Sequence, residues 1–218
     1  MAKNKKSEAA LLEQWHVAIE NSQQQTEIAT QITNFGYDTA KIEEGRALLN
    51  ATQTVWQNNQ QEDQETTAAF NAFKAKREAL FTLYNQHRKK AKAKFKRQPQ
   101  TLVQLQITGT IPTIYISKIE TIQHFYTQIV QNPSIKTELL SYNITEEELA
   151  QGQDLLTETQ QARTHYLKEV GESQDATKQK DKALKTMENW MQDFYAMASI
   201  ALENNPQLLE ALGIFRKS

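Results

Sequence analysis

The chain has 218 residues, a formal net charge of −1 and no cysteine. The lack of cysteine excludes disulfides, thiolate catalysis and cysteine-ligated metal sites, and the small net charge predicts no partner for the molecule as a whole. Six Gly and four Pro are few for this length, and abundant Gln, Glu, Ala, Lys and Leu favour helices over strands. The N-terminal stretch MAKNKKSEAALLEQW lacks the continuous apolar core of a secretion signal or a membrane span. We therefore expect a cytoplasmic, all-α protein without a membrane-spanning segment.

Helix signals follow one another in the same order in both halves of the chain. Pro112 and Pro133 are each predicted to lie in the first turn of a helix, where a missing N–H is tolerated. The stretch TLVQLQITGTIPTIYIS, residues 101–117, alternates like a strand, but a single strand would have no partner. The predicted helices and closing turns are 8–22, 25–35, 38–97, 99–107, 112–131, 133–142, 145–204 and 206–214.

An internal duplication explains this order. From residue 24 onward, about one position in five is identical to the position 107 residues later, without any gap. Gly45 aligns with Gly152, and Pro99-Gln100 aligns with Pro206-Gln207. The sequence thus predicts two helical repeats, 1–107 and 108–218, packed together as one structural unit.

Four copies of a short motif punctuate the two repeats. Each copy reads apolar-x-x-apolar-(Gly, Asn or Gln)-apolar, the spacing of a helix that ends in a Schellman turn. The residue just past the helix turns left-handed there, which suits Gly best and Asn next. Asp38 and Thr145, which follow two of these motifs, are good N-caps, and Thr145 with Glu148 forms a capping-box pattern. The predicted left-handed residues are Gly36, Gln106, Asn143 and Gly213.

The long segments 38–97 and 145–204 each carry an apolar heptad, as in a coiled coil. The heptad phase does not slip across the polar middle, which favours one long helix per repeat over a hairpin. The first seam is Ile42, Gly45, Leu49, Thr52, Trp56, Asn59, Asp63, Thr66, Phe70, Phe73, Arg77, Leu80, Tyr84, His87 and Ala91. The second seam is Leu149, Gly152, Leu156, Thr159, Arg163, Tyr166, Val170, Ser173, Thr177, Lys180, Leu184, Met187, Met191, Phe194 and Ala198.

These seams predict an internally duplicated helical bundle in which two long antiparallel helices have short helices packed at their ends. A compact up-and-down bundle, with turns near 60–66 and 168–173, is the alternative. For the antiparallel pair we expect a register in which facing positions sum to 243. That register sets Gly45 against Ala198 and Asp63 against Lys180.

Few residues suggest catalysis or metal binding. Glu13-x-x-His16 has the spacing of a di-iron ligand pair, but such a site needs a second pair and two more carboxylates, and the duplicate positions are Glu120 and Gln123. Glu120 and His124 share a helix face without completing a site. His87 lies on the seam, where a packed, hydrogen-bonded role is expected. No phosphate loop or catalytic triad pattern is present, so we expect no enzyme, no cofactor and no metal ligand.

The strongest local feature is HRKKAKAKFKR, residues 87–97, with seven Lys or Arg and no acid. Its duplicate, FYAMASIALEN, contains no basic residue. Such a segment is typical of nucleic-acid or anionic-surface binding, although bases at a helix C-terminus also complement the helix dipole. The expected register would neutralise part of it by placing Arg97 opposite Glu146, Lys96 near Glu147 and Lys89 near Asp154. The candidate anion-binding residues are Arg88, Lys89, Lys92, Lys96 and Arg97.

Three stretches carry a family resemblance: HFYTQIVQNPSIKTELLSYNITEEELAQGQDLL, ALENNPQLLEALGI and, in the first half, FGYDTAKIEEGRALL. With these motifs the chain resembles a family of bacterial all-helical proteins made of two similar halves. The resemblance covers most of the chain beyond residue 25 and implies a duplicated helical fold. It brings no activity, cofactor or catalytic residue with it, and Gln106 and Asn143 depart from the glycine expected at their turns.

The duplicated, heptad-bearing chain favours a non-enzymatic helical scaffold that binds a protein partner and is able to form a homo-oligomer. Two alternatives stay open at this point: anion binding through 87–97, and a metal-binding bundle. Nucleic acid is not the expected partner.

Overall fold

The computed structural model describes residues 6–214, and this part of the chain folds into eight helices without a strand. The all-α prediction is therefore confirmed. In chain order the helices are α1 Glu8–Gln24, α2 Thr26–Thr33, α3 Thr39–Lys94, α4 Pro99–Gln104, α5 Tyr115–Gln131, α6 Pro133–Leu140, α7 Glu146–Ala201 and α8 Leu208–Ala211.

The four repeated motifs end helices with a left-handed residue. In each motif the backbone N–H of the apolar residue that follows donates to a carbonyl five residues earlier, which is the Schellman hydrogen bond. Tyr37 donates to Ile32 over 3.1 Å, and Ile214 donates to Leu209 over 3.0 Å. The left-handed residues and their φ angles are Gly36 at 85°, Gln106 at 54°, Asn143 at 59° and Gly213 at 75°.

Both long helices begin at side-chain caps that the sequence predicts. Asp38 Oδ1 accepts a hydrogen bond from the Lys41 N–H at 2.9 Å. Thr145 Oγ1 accepts from the Glu148 N–H at 3.1 Å, and the Glu148 carboxylate accepts from the Thr145 N–H at 3.2 Å. The second pair is a complete capping box, so α7 has a firmly fixed first turn.

Helices α3 and α7 are each a single helix of 56 residues, and the two pack together. This confirms the long-helix prediction over the hairpin alternative. The predicted seams face inward: their residues are buried or half-buried, except Asp63 and Phe70, which are exposed. The heptad thus marks the packed face of both helices.

The structure divides into two compact units, and each takes segments from both sequence repeats. The first unit comprises described residues 6–63 and 172–214, and the second unit comprises Gln64–Gly171. Each unit contains one short-helix pair, the N-terminal part of one long helix and the C-terminal part of the other, and a closing helix. Each encloses one apolar core. The repeats 1–107 and 108–218 therefore remain a prediction about the sequence, and the compact units do not follow their boundary.

Within each unit the long-helix segments run antiparallel, but in a register different from the expected one. In the first unit Asn59 Nδ2 donates to Thr177 Oγ1 at 3.1 Å, and Ser173 donates to Asp63 at 2.7 Å. In the second unit Lys76 and Glu158 form an ion pair at 2.7 Å. These facing positions sum to about 235, so the expected register is wrong by about one heptad. A seven-residue shift keeps every seam residue on the seam, and the heptad pattern therefore leaves the register open.

Aromatic rings covering glycines distinguish the observed register from the expected small-against-small pairing. A Cβ added to Gly45 would lie 2.3 Å from Trp190 Cη2 in the first unit. A Cβ added to Gly152 would lie 2.3 Å from Tyr126 Cζ in the second unit. Each glycine thus makes room for a large ring directly against the helix backbone. Trp190 belongs to α7, so its contact with Gly45 holds α3 and α7 in the observed register, whereas Tyr126 belongs to α5 and packs that helix against α7.

Three equivalent positions are in contact in both units, but they carry different types of residue in each. In the first unit Glu8 accepts hydrogen bonds from Trp56 Nε1 at 3.2 Å and from Lys180 Nζ at 3.0 Å. The equivalent positions in the second unit are Tyr115, Arg163 and Phe73, where the arginine lies 4.8 Å above the tyrosine ring and the two rings pack edge to face. The same positions therefore stay in contact although the residue types differ.

One predicted helix start is wrong. Helix α5 begins at Tyr115, so Pro112 precedes the helix rather than lying in its first turn. Ile114, in an extended conformation, occupies the N-cap position, and no side chain caps the helix. Pro112 therefore belongs to the connection between α4 and α5.

We predict that Gly36→Val destabilises the protein by about 1–2 kcal/mol or more, because a β-branched residue is strained at positive φ. Urea unfolding monitored by circular dichroism measures this change. Gly36→Asn is the matched control, since Asn tolerates a left-handed conformation and stands at the equivalent position 143. Equal stability of the valine variant and the unmodified protein would contradict the helix-end assignment.

We also predict that Gly45→Ala destabilises the protein by about 1–3 kcal/mol, because the new methyl group overlaps the Trp190 ring in a packed core. Gly171→Ala is the control: it is also in a long helix, and its Cβ would meet nothing within 4 Å. That substitution should be neutral or stabilise by up to about 1 kcal/mol through helix propensity. Two thermal or urea unfolding curves decide the matter, and a stabilised Gly45→Ala variant would refute the packing argument.

Candidate functional site

The candidate site is the C-terminal part of α3 in the second unit. Ala91 and Phe95 are fully buried there and anchor one side of the helix in the core. At 3.6 residues per turn, Lys89 lies on the opposite side and Lys92 at its edge, while Lys96 and Arg97 follow the end of α3 at Lys94. Lys89 and Lys96 are exposed and Lys92 is half-buried. The segment therefore has an apolar inner side and a basic outer side.

Three bases of this segment are used inside the second unit. Arg88 donates to the carbonyl oxygens of Ile107, at 3.2 Å, and Gly109. Lys90 donates to the carbonyl oxygen of Asn143. Lys94 forms an ion pair with Glu138 at 3.3 Å. These contacts tie α3 to the connections that precede α5 and α7, so they hold the segment in place.

The remaining four bases face outward, and we call them the basic face: Lys89, Lys92, Lys96 and Arg97. Between residues 6 and 214, no carboxylate lies within ion-pair distance of any of the four. The internal neutralisation expected from the sequence is wrong for these residues, because the register differs. Glu146, the expected partner of Arg97, pairs with Lys136 at 3.0 Å instead.

The basic face has no counterpart in the first unit. Positions 107 residues later carry Ala196, Ser199, Glu203 and Asn204. The same contrast extends to the units as wholes. Gln64–Gly171 contains 14 Lys and Arg against 10 Asp and Glu, while residues 6–63 with 172–214 contain 7 against 16. The net charge of the chain is small because a basic unit and an acidic unit nearly cancel. Such a charge asymmetry is typical of proteins that bind polyanions.

His87, one turn before Ala91, lies on the inner side of the same segment and is 1% exposed. Its Nδ1 shares a hydrogen bond with the Tyr126 hydroxyl at 3.1 Å. Its Nε2 lies 3.6 Å from the Glu148 carboxylate and has no hydrogen-bond partner within the described structure. Glu148 also closes the capping box of α7, so the contact links α3, α5 and the start of α7. The equivalent positions in the first unit are Phe194, Ile19 and Lys41.

Burial lowers the pKa of His87, because the charged imidazolium is poorly solvated in the core; Glu148 opposes this shift, and Lys90 adds to it. Burial also raises the pKa of Tyr126, and the phenol stays protonated. The neutral imidazole therefore serves as a hydrogen-bonding core residue at physiological pH. This arrangement agrees with the packed role expected for a histidine on the seam.

The sequence-derived metal ligands do not assemble. Glu13 and His16 are both exposed on α1, and no third imidazole or carboxylate joins them in the part of the chain that the structure describes. Glu120 is exposed as well. His124 Nε2 lies 2.7 Å from the carbonyl oxygen of Gln104, where it fastens α4 to α5. The Nε2 atom of His124 thus makes a structural contact between two helices.

Sequence reasoning found the basic segment but not the partners that divide it into used and unused bases. The contacts of Arg88 and Lys90 are to backbone carbonyls, which no side-chain pattern reveals. Tyr126 and Glu148 lie 39 and 61 positions from His87. Their meeting depends on how α5 and α7 pack against α3.

Comparison with protein-family models, with curated proteins and with solved structures found no match to this chain. The chain is therefore not assigned to a family, and its resemblance to bacterial proteins made of two similar halves stays a prediction from the sequence. Among the described helices, none combines the length and the apolar character needed to cross a bilayer.

We predict that the stability of the protein falls as pH drops below about 6.5 and that His87 accounts for part of the loss. The pKa of His87 is lower in the folded protein than in the unfolded chain. Between these two pKa values the unfolded chain binds a proton that the folded protein does not, so the free energy of unfolding decreases as the pH falls. This decrease is complete below the folded-state pKa. Urea unfolding at about pH 7.5 and about pH 5.5 tests this in the unmodified protein and in His87→Gln. The variant should lose less stability between the two pH values; an equal loss in both proteins would refute the assignment.

Proposed function

We propose that the protein is a non-enzymatic helical interaction protein that binds a polyanionic partner through the basic face. The observation that carries this proposal is the set of four outward bases without an acidic neighbour, Lys89, Lys92, Lys96 and Arg97. Bases paired inside a protein attract a partner weakly, whereas unpaired bases close together in one segment sum to a local positive potential.

The rigid setting of the basic face supports binding. Its helix is fixed on the inside by Ala91 and Phe95 and at its edges by Arg88, Lys90 and Lys94. The backbone that presents the four bases is therefore already ordered, and binding carries no additional cost of ordering the backbone. Such a surface gives fast, salt-dependent association with little sequence preference.

A scaffold role and an anion-binding role are compatible in this proposal. The fold supplies a stable frame, and the acidic first unit and basic second unit supply two surfaces of different charge. The proposed scaffold role includes binding to a partner protein and self-association. A chain without cysteine suits a reducing compartment, and the cytoplasm is the setting that we propose.

We predict that the protein binds a fluorescent DNA duplex, used as a generic polyanion, at about 50 mM salt and more weakly at about 200 mM. The variant Lys89→Gln/Lys92→Gln/Lys96→Gln should bind more weakly and should lower the slope of log K against log salt by about 2 to 3, because about 0.9 counterions are released per phosphate contact. Fluorescence anisotropy measures both quantities.

The matched control is Lys178→Gln/Lys182→Gln/Lys185→Gln, which removes the same charge from exposed positions of the first unit. It should leave the salt slope unchanged. Equal effects of the two triple variants, or no binding by the unmodified protein at low salt, would refute the proposed function.

A further inference from the structure

We infer that the partner of the basic face is the surface of an anionic lipid bilayer. This inference rests on the proposed function and makes it specific. It comes from apolar side chains exposed at the same end of the second unit as the basic face, a combination that a bilayer interface accommodates.

Three apolar side chains are exposed in the part of the second unit that contains the basic face. Val103 on α4 is 64% exposed, Val130 near the end of α5 is 50% exposed, and Tyr142 before α7 is 46% exposed. Isolated exposed apolar residues are ordinary. These three, however, are held at one end of the second unit by local contacts.

Side-chain contacts bring these residues to the C-terminal end of α3. The Lys94 ammonium lies 4.9 Å from the centre of the Tyr142 ring. Gln104, next to Val103, bonds to Gln128 at 3.1 Å, which sets α4 against the last turns of α5 that carry Val130. Helix α4 itself starts at Pro99, two residues after Arg97. The apolar residues and the bases thus belong to the same end of the second unit.

The equivalent end of the first unit lacks the bases and the two valines, although Met197 and Ile200 are exposed apolar residues there. Val103 corresponds to Glu210, Val130 to Gln23 and Lys96 to Glu203. Phe35, at the position equivalent to Tyr142, is the exposed apolar residue that both ends share. The bases and the two valines therefore occur together in one unit, and none of these positions carries a base or a valine in the other.

This combination is suited to the polar–apolar boundary of a membrane. Each lysine near an anionic leaflet strengthens binding about fivefold. Valine and tyrosine side chains gain further by leaving water for the interface. Since the described helices include no span, the binding we infer is peripheral and reversible, and it weakens as salt screens the bases.

The experiment is co-sedimentation of the full chain with vesicles that contain about 30 mol% phosphatidylserine in phosphatidylcholine, and with phosphatidylcholine vesicles alone, at about 50 and 200 mM salt. We expect binding to the anionic vesicles only, and more at low salt. Lys89→Gln/Lys92→Gln/Lys96→Gln should reduce the apparent affinity on the order of 100-fold, while the triple variant at 178, 182 and 185 keeps it.

Val103→Ser separates a membrane from other polyanions. It removes an apolar group without changing charge, so it should weaken vesicle binding about fivefold and leave DNA binding unchanged. Ile200→Ser, which alters an exposed apolar residue of α7 in the first unit, is the control and should change neither. Circular dichroism checks that each variant remains helical.

The outcomes distinguish this inference from the function on which it rests. Salt-dependent binding to DNA without binding to anionic vesicles overturns the membrane inference, leaves the proposed function standing and points to a nucleic acid. Vesicle binding that Val103→Ser leaves intact also overturns the inference, because the attraction is then electrostatic alone. Binding to neither probe overturns both.

Discussion

The structure depends on the close approach of α3 and α7 along their heptad seams. Gly45 and Gly152 leave gaps on these seams, and the rings of Trp190 and Tyr126 fill them against the helix backbone. Of the two rings, Trp190 of α7 packs against Gly45 of α3 and so holds these helices in one register, whereas aliphatic seam residues tolerate a shift by a heptad. The register set in this way decides which side chains of the two helices meet, and therefore also which charges are paired and which are left facing outward.

The two compact units share a framework and differ in what they attach to it. Both use a pair of short helices, segments of the two long helices and a closing helix, with the same left-handed turns. A polar contact of His87, Tyr126 and Glu148 in one unit stands where the other has Phe194, Ile19 and Lys41. The helical framework is common to both units, while the charge separates into a basic and an acidic unit. The proposed function is based on that separation of charge.

The basic face differs from the other three bases of residues 87–97, which have partners within the protein. Arg88, Lys90 and Lys94 hold carbonyl oxygens and a carboxylate within the second unit, which leaves their neighbours at the next helical positions without an internal role. Bases near the end of a helix also complement its dipole, an effect that applies to Lys92 in the last turn of α3 but less to Lys89, about one turn earlier. The proposed binding to an anionic partner would account for all four bases.

The sequence by itself determined the local structure: the all-α class, helix bounds to within a few residues, the four left-handed turns, the caps at Asp38 and Thr145, and the inward seams. These features follow from residues close together in the chain, since helix propensity, capping and periodicity are local properties. Only the tertiary structure decided the register, the composition of the compact units from both repeats, and the division of the basic segment into tied and free bases. Each of these depends on contacts between residues far apart in sequence, such as Gly45 with Trp190 or His87 with Glu148, and a repeating seven-residue pattern is equally satisfied by several such pairings.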